Sequence, residues 1–163
     1  MFRSFATALL TTIAFAAEGV FDYKDMGAHW TGLCETGKKQ SPIDLPWEAD
    51  NSSVQSVILN NKYPDLTNAK TVDKELTVEV YMKSDKSLYT DAHFTKTFQD
   101  GSSLELIPER FHIHTPSEHT INGKPMDLEL HIVHWNADRT AAGVLGFMFD
   151  VEEGGSGENL FLD

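Results

Sequence analysis

Apolar and polar residues alternate along much of this chain, and the alternation has a period of two rather than 3.6. "LTVEVYM" at 76–82 puts every second residue on one face, the signature of a half-buried strand. "RFHIH" at 110–114, "DLELHIVHW" at 127–135 and "AGVLGFMFDV" at 142–151 are the strongest strand segments. "SVILNN" around Val57 to Leu59, "LYTDAHF" and "SLELI" are weaker ones. From Phe21 to Asp50 the chain is rich in Gly, Pro and turn formers and shows no periodicity. No segment carries a long helical stripe. The pattern predicts a mostly β fold.

With 163 residues the chain holds one domain with a single core. Its apolar fraction of 40% and aromatic fraction of 10% are those of a globular protein. The formal net charge is -12, with no basic run, so there is no positive footprint for a nucleic acid. The acidity reads as a solvated surface.

The first residues, "MFRSFATALLTTIAFAAEG", read as a targeting segment. Arg3 precedes an apolar run from Phe5 to Phe15, and Ala14-Phe15-Ala16 offers a small-residue cleavage site. We expect residues 1–17 to be a secretory signal peptide, residues 18–163 to be the domain, and the product to be secreted or extracytoplasmic. An organelle presequence is the alternative. The run is too short to span a bilayer, and no later segment reads as transmembrane. Asn51-Ser52-Ser53 is an N-glycosylation sequon. Cys34 is the single cysteine and has no mate within the chain.

Five of the seven histidines lie in "RFHIHTPSEHTINGKPMDLELHIVHWN", residues 110–136. On strands, His112 and His114 share a face while Phe111 and Ile113 share the other. Glu129, His131 and Val133 likewise point one way, and Leu130 and Ile132 the other. Asn122-Gly123 is a preferred pair for a two-residue hairpin turn. With those two as the turn of a hairpin between the strands, 114 falls opposite 131 and 112 opposite 133. Facing Cβ atoms lie about 5 Å apart, so three imidazoles converge. Pro116 and Pro125 cannot donate ladder bonds, so this hairpin must be interrupted or lie at an edge. Three neutral histidines without a fourth protein ligand describe a zinc site with an open position for water, whose pKa falls to about 7.

"HW" at 29–30, "CETGKKQSPIDL" at 34–45, "RFHIHTPSEHT" at 110–120, "ELHIVHWN" at 129–136 and "GVLGF" at 143–147 together resemble the alpha-class carbonic anhydrases. The resemblance implies a large, twisted, mainly antiparallel sheet. It also implies reversible hydration of carbon dioxide to bicarbonate and a proton by zinc-bound hydroxide, and inhibition by sulfonamides or anions. By motif position, His112, His114 and His131 would be the Zn2+ ligands. Glu129 would accept a hydrogen bond from His131 and orient it. Glu118 would accept one from a threonine hydroxyl. Val133 and Val144 would line the carbon dioxide pocket. His119 and His134 match structural positions, His29 reads as packing or surface, and His93 as surface.

Three features depart from the family's pattern. Arg110 stands where a glutamine usually accepts a hydrogen bond from the first ligand, and a guanidinium has donors only. We expect it to lower metal affinity unless it turns away. Leu76 stands where fast members carry a proton-relaying histidine, so turnover is expected to be limited by proton transfer. The family's domain also continues beyond the length of this chain, so the sequence reads as its N-terminal and central part. The threonine partner of Glu118 and a disulfide partner for Cys34 would lie in the remainder. A catalytically inactive binding or structural module of the same family is a second reading, and another zinc hydrolase on a β scaffold a third. Zinc content with a hydration assay separates the first two. Sulfonamide binding separates the third.

Overall fold

The computed structural model describes residues 3–7, 29–47, 57–61, 63, 69–73, 77–82, 92–98 and 100–151. The sequon at Asn51, the position of Leu76, the tail from 152 onward and most of the expected leader lie outside these residues.

The fold is built on the long strand β7 (Ser103–His114) and its neighbours β10 (Leu128–Trp135) and β11 (Ala142–Asp150). All pairings in this main sheet are antiparallel. β10 lies between β7 and β11, and β1 (Arg3–Thr7) pairs with the far side of β11. On its other side β7 changes partner along its length. Its first part pairs with β6 (Ala92–Thr97), which in turn pairs with β3 (Val57–Asn61). Its second part pairs with β5 (Val78–Tyr81), which is followed by β4 (Lys70–Asp73). Pro108 has no N–H to give and lies opposite His134, where the β7–β10 register shifts by one residue at a bulge, one of the few places within a sheet that accept proline. "SLELI" and "RFHIH", read above as separate segments, are therefore one strand.

The period-two pattern sorts the side chains of β10 and β11, and the bulge at Glu109 brings Leu106 to the same side of β7 as Phe111 and Ile113. Leu130 and Ile132 of β10, Leu145 and Phe149 of β11, Leu106 of β7, Phe94 of β6 and Met82 form the core. Phe111, Ile113 and Phe147 pack against it. His134 points to the same side and is fully buried, its ring 4.8 Å from that of Phe94. Gly143 is required beside them: a Cβ there would meet Phe94 Cζ at 2.4 Å and Leu106 Cδ1 at 2.8 Å.

His134 is neutral and its tautomer is determined. Its Nδ1 lies 2.9 Å from the Ile132 carbonyl, which can only accept, so Nδ1 carries the proton and Nε2 accepts from the Tyr63 hydroxyl at 2.9 Å. Burial pushes its pKa down to about 4, against the Ile132 hydrogen bond, and burial pushes Tyr63 up to about 12. The unfolded histidine titrates near 6.5, so the unfolded chain binds the extra proton first as pH falls. Stability is whole above about pH 6.5 and drains away towards pH 4, by on the order of 3 kcal/mol from this residue. Urea midpoints at pH 7 and pH 4.5 should differ accordingly, and a His134→Gln chain should lose that share of the difference.

A second, three-stranded sheet joins β2 (Asp44–Leu45), β8 (Thr120–Ile121) and β9 (Lys124–Pro125). Asn122 and Gly123 both have positive φ, 50° and 76°, and turn β8 into β9. Asp44 fixes this turn by accepting from Thr120 Oγ1 at 2.6 Å and from the Gly123 amide at 2.7 Å. The region from 29 to 47 is otherwise loop, apart from the single turn α1 (Leu33–Thr36) that carries the free, half-buried Cys34. Among the described residues, no helix is long and apolar enough to cross a membrane.

Candidate metal centre

The face of the main sheet opposite the core carries the histidines. His131 lies directly opposite His112, and Glu129 opposite His114. This register differs by two residues from the one expected above. The Asn122-Gly123 turn closes the small β8–β9 hairpin, not the β7–β10 pair, and the segments joining the two hairpins are unequal in length. A slip of two keeps every side chain on its face, so the convergence survives. The three rings have centroids 4.8 Å (His112–His114), 5.2 Å (His112–His131) and 4.8 Å (His114–His131) apart. One potential ligand atom from each lies within 4.8 Å of the others.

Glu129 holds His131 in place. It is 1% exposed and accepts four hydrogen bonds. Its Oε2 takes the backbone amides of Glu118 and His119, each at 2.9 Å. Its Oε1 takes the ring N–H groups of His119 (Nδ1) and His131 (Nε2), each at 2.7 Å. Burial alone would raise this carboxyl, but the bonds from His119 and His131 outweigh it and hold it far below the usual range. A carboxylate only accepts, so His131 bears its proton on Nε2 and leaves the Nδ1 lone pair bare. By the same logic His119 has a bare Nε2, which lies 3.2 Å from Ser41 Oγ and accepts its proton. Ser117, 1% exposed, donates to the His119 carbonyl and accepts the Met126 amide, closing the loop around this pair.

The other two histidines are held as neutral bases. Burial first, then the neighbouring His131, His114 and Arg110, pushes the pKa of His112 down to about 4. Burial likewise lowers His114, against the pull of Glu118. His112 Nδ1 is buried with no hydrogen-bond partner among the described residues. Glu118 Oε2 sits 3.4 Å from His114 Nε2 and 3.8 Å from His131 Nδ1, so these two nitrogens face one point. Three imidazoles gathered on one sheet face, one of them oriented by a carboxylate through its second ring nitrogen, fit Zn2+ in donor set.

Arg110 is engaged by two neighbouring carboxylates. Its Nε donates to Glu79 at 3.1 Å, its Nη1 to Glu109 at 2.8 Å, and its guanidinium lies over the Tyr81 ring at 5.8 Å. Burial would raise Glu79, but Tyr81 and Arg110 together bring its carboxyl below the usual value. The positive charge is thus compensated, but His112 receives no acceptor from position 110. Val133 pairs with Val144 across β10 and β11, beside His131 on the histidine face. His93, on β6, is half-buried, and His29 is exposed.

A family model described as eukaryotic-type carbonic anhydrase matches residues 25–156. The chain belongs to the alpha carbonic anhydrase family. It is 31% identical to a carbonic anhydrase from Pectobacterium atrosepticum over 96% of this chain and 62% of that protein. It is 36% identical to alpha carbonic anhydrase 6 of Arabidopsis thaliana over 78% of this chain and 45% of that protein. The crystal structure of a halotolerant carbonic anhydrase from Dunaliella salina superposes with a TM-score of 0.68, at 30% identity, over 90% of this chain and 61% of that one. A carbonic anhydrase from Chlamydomonas reinhardtii, solved with acetazolamide, superposes at 0.53 with 26% identity, over 80% of this chain and 51% of that one. The chain spans about three-fifths of the length of the Pectobacterium and Klebsiella relatives it matches, and less than half of the plant ones.

The alternation of the sequence puts Glu129, His131 and Val133 on one face and His112 with His114 on another strand's, and the structure joins the two on one side of the sheet; Val144, suggested by the resemblance alone, lies opposite Val133. Sequence reading did not find the Ser41–His119–Glu129 relay. His119 was read as structural only, and nothing in the sequence ties Ser41 to a histidine 78 positions away.

Proposed function

We propose that this chain holds Zn2+ on His112, His114 and His131 and serves the reversible hydration of carbon dioxide to bicarbonate and a proton. The observation that carries the reading is the convergence of three imidazoles on one sheet face, with the third fixed by Glu129. The chemistry that zinc supplies when bound is acidification of water, which yields a hydroxide nucleophile near neutral pH.

The chain's own residues do the rest. Glu129 fixes the tautomer of His131 and, as a full negative charge, makes its Nδ1 a better donor. Val133 and Val144 give the site an apolar flank suited to an uncharged, linear substrate. Glu118, an acceptor facing the same point, can take a hydrogen bond from a hydroxyl placed there and so orient a lone pair towards carbon. Sulfonamides and small anions are the inhibitor classes expected to compete at the open position.

Stopped-flow measurement of carbon dioxide hydration by the zinc-loaded chain tests this. Turnover above the buffer rate, abolished by chelation and restored by zinc, is the expected result. A zinc-loaded, folded chain with no turnover would instead support the inactive module of the same family.

A further inference from the structure

Gly146 sits on β11 directly opposite His131, on the histidine face. An added Cβ there would lie 3.1 Å from Glu129 Oε1, 3.7 Å from His131 Cδ2 and 3.8 Å from His131 Nε2. The last two are ordinary contacts. The first is tighter than nine in ten real Cβ contacts, so the carboxylate would have to move by a few tenths of an ångström. It has nowhere to go. Glu129 is buried and tied by four hydrogen bonds of 2.7–2.9 Å, two of them to the backbone. Only the two ring bonds on Oε1 can lengthen, and one of these orients His131. Backbone freedom does not explain the glycine, since its φ is not positive and other strand residues would fit.

We propose that Gly146 is a positioning residue: its missing side chain is the clearance that lets Glu129 hold His131 in register with His112 and His114. The consequence for metal rests on the zinc reading above, whereas the geometry of the Glu129–His131 bond does not.

The test compares the full chain with Gly146→Ala and, as a destabilised control on the opposite face, Phe94→Leu. Two readouts are taken. The first is the low-field proton resonance of His131 Nε2–H in metal-free protein; the second is Co2+ affinity with its visible spectrum. Gly146→Ala should shift or lose the resonance and weaken Co2+ binding roughly tenfold or more, as expected when a ligand's orienting partner is disturbed. Phe94→Leu should lower the urea midpoint and leave both readouts in place. An unchanged resonance in Gly146→Ala, or an equal change in Phe94→Leu, overturns the proposal. So does a Gly146→Ala chain that fails to fold, because a contact borne by one carboxylate oxygen should not unfold the sheet. If the resonance moves but even the unmodified chain takes up no Co2+, the positioning role stands and the zinc reading falls.

Discussion

Glu129→Gln should lower the stability of the metal-free chain by about 3–5 kcal/mol and its Zn2+ affinity roughly 10- to 100-fold. Four N–H groups point at this side chain, and two carboxylate oxygens serve them in pairs. Glutamine turns one oxygen into a donor. Either the two backbone amides or the two ring N–H groups then face an NH2, at a side chain that is 1% exposed. If the ring groups lose, His131 is free to rotate or to move its proton to Nδ1, the nitrogen a metal needs. Chemical denaturation and isothermal titration with zinc check both parts. Little change in either would mean that Glu129 does not orient His131.

Phe94→Ala should cost about 3–5 kcal/mol, the largest loss expected from the core. Phe94 is fully buried and stands edge-on to His134. It also faces the Cβ-less surface of Gly143, on the third strand away in the sheet. Truncation removes the wall behind a neutral buried histidine as well as the ring itself. The cavity cannot close easily, because β6, β7, β10 and β11 are held by their ladders. Because Phe94 lies on the face away from the histidines, metal affinity at low denaturant should hold within a few-fold. Denaturation midpoints measured with and without zinc separate the two effects.

Much of this architecture is legible in the sequence. Strands with a clean period of two, such as "LELHIVHW", declare which residues share a face, and face is what brings the histidines together. Register is less legible. The Asn122-Gly123 turn was correctly read as a turn but assigned to the wrong pair of strands. A local signal shows that the chain reverses, not how far the ladder beside it extends. β4, with "KTVD", is a short, largely exposed edge strand and carries almost no apolar signal. β2, β8 and β9 are two residues each, too short for any periodicity. Arg110 illustrates a third limit. Its charge is readable, but its compensation by Glu79 depends on which strand lies next to β7.

The central claim is that three histidines on one sheet face hold one metal ion. Zinc titration of the purified, metal-free chain at neutral pH tests it most directly, beside variants with alanine at His112, His114 or His131. One equivalent should bind to the unaltered chain, with a severe loss of affinity in each variant. Binding of no zinc, or of zinc that survives all three substitutions, would contradict it.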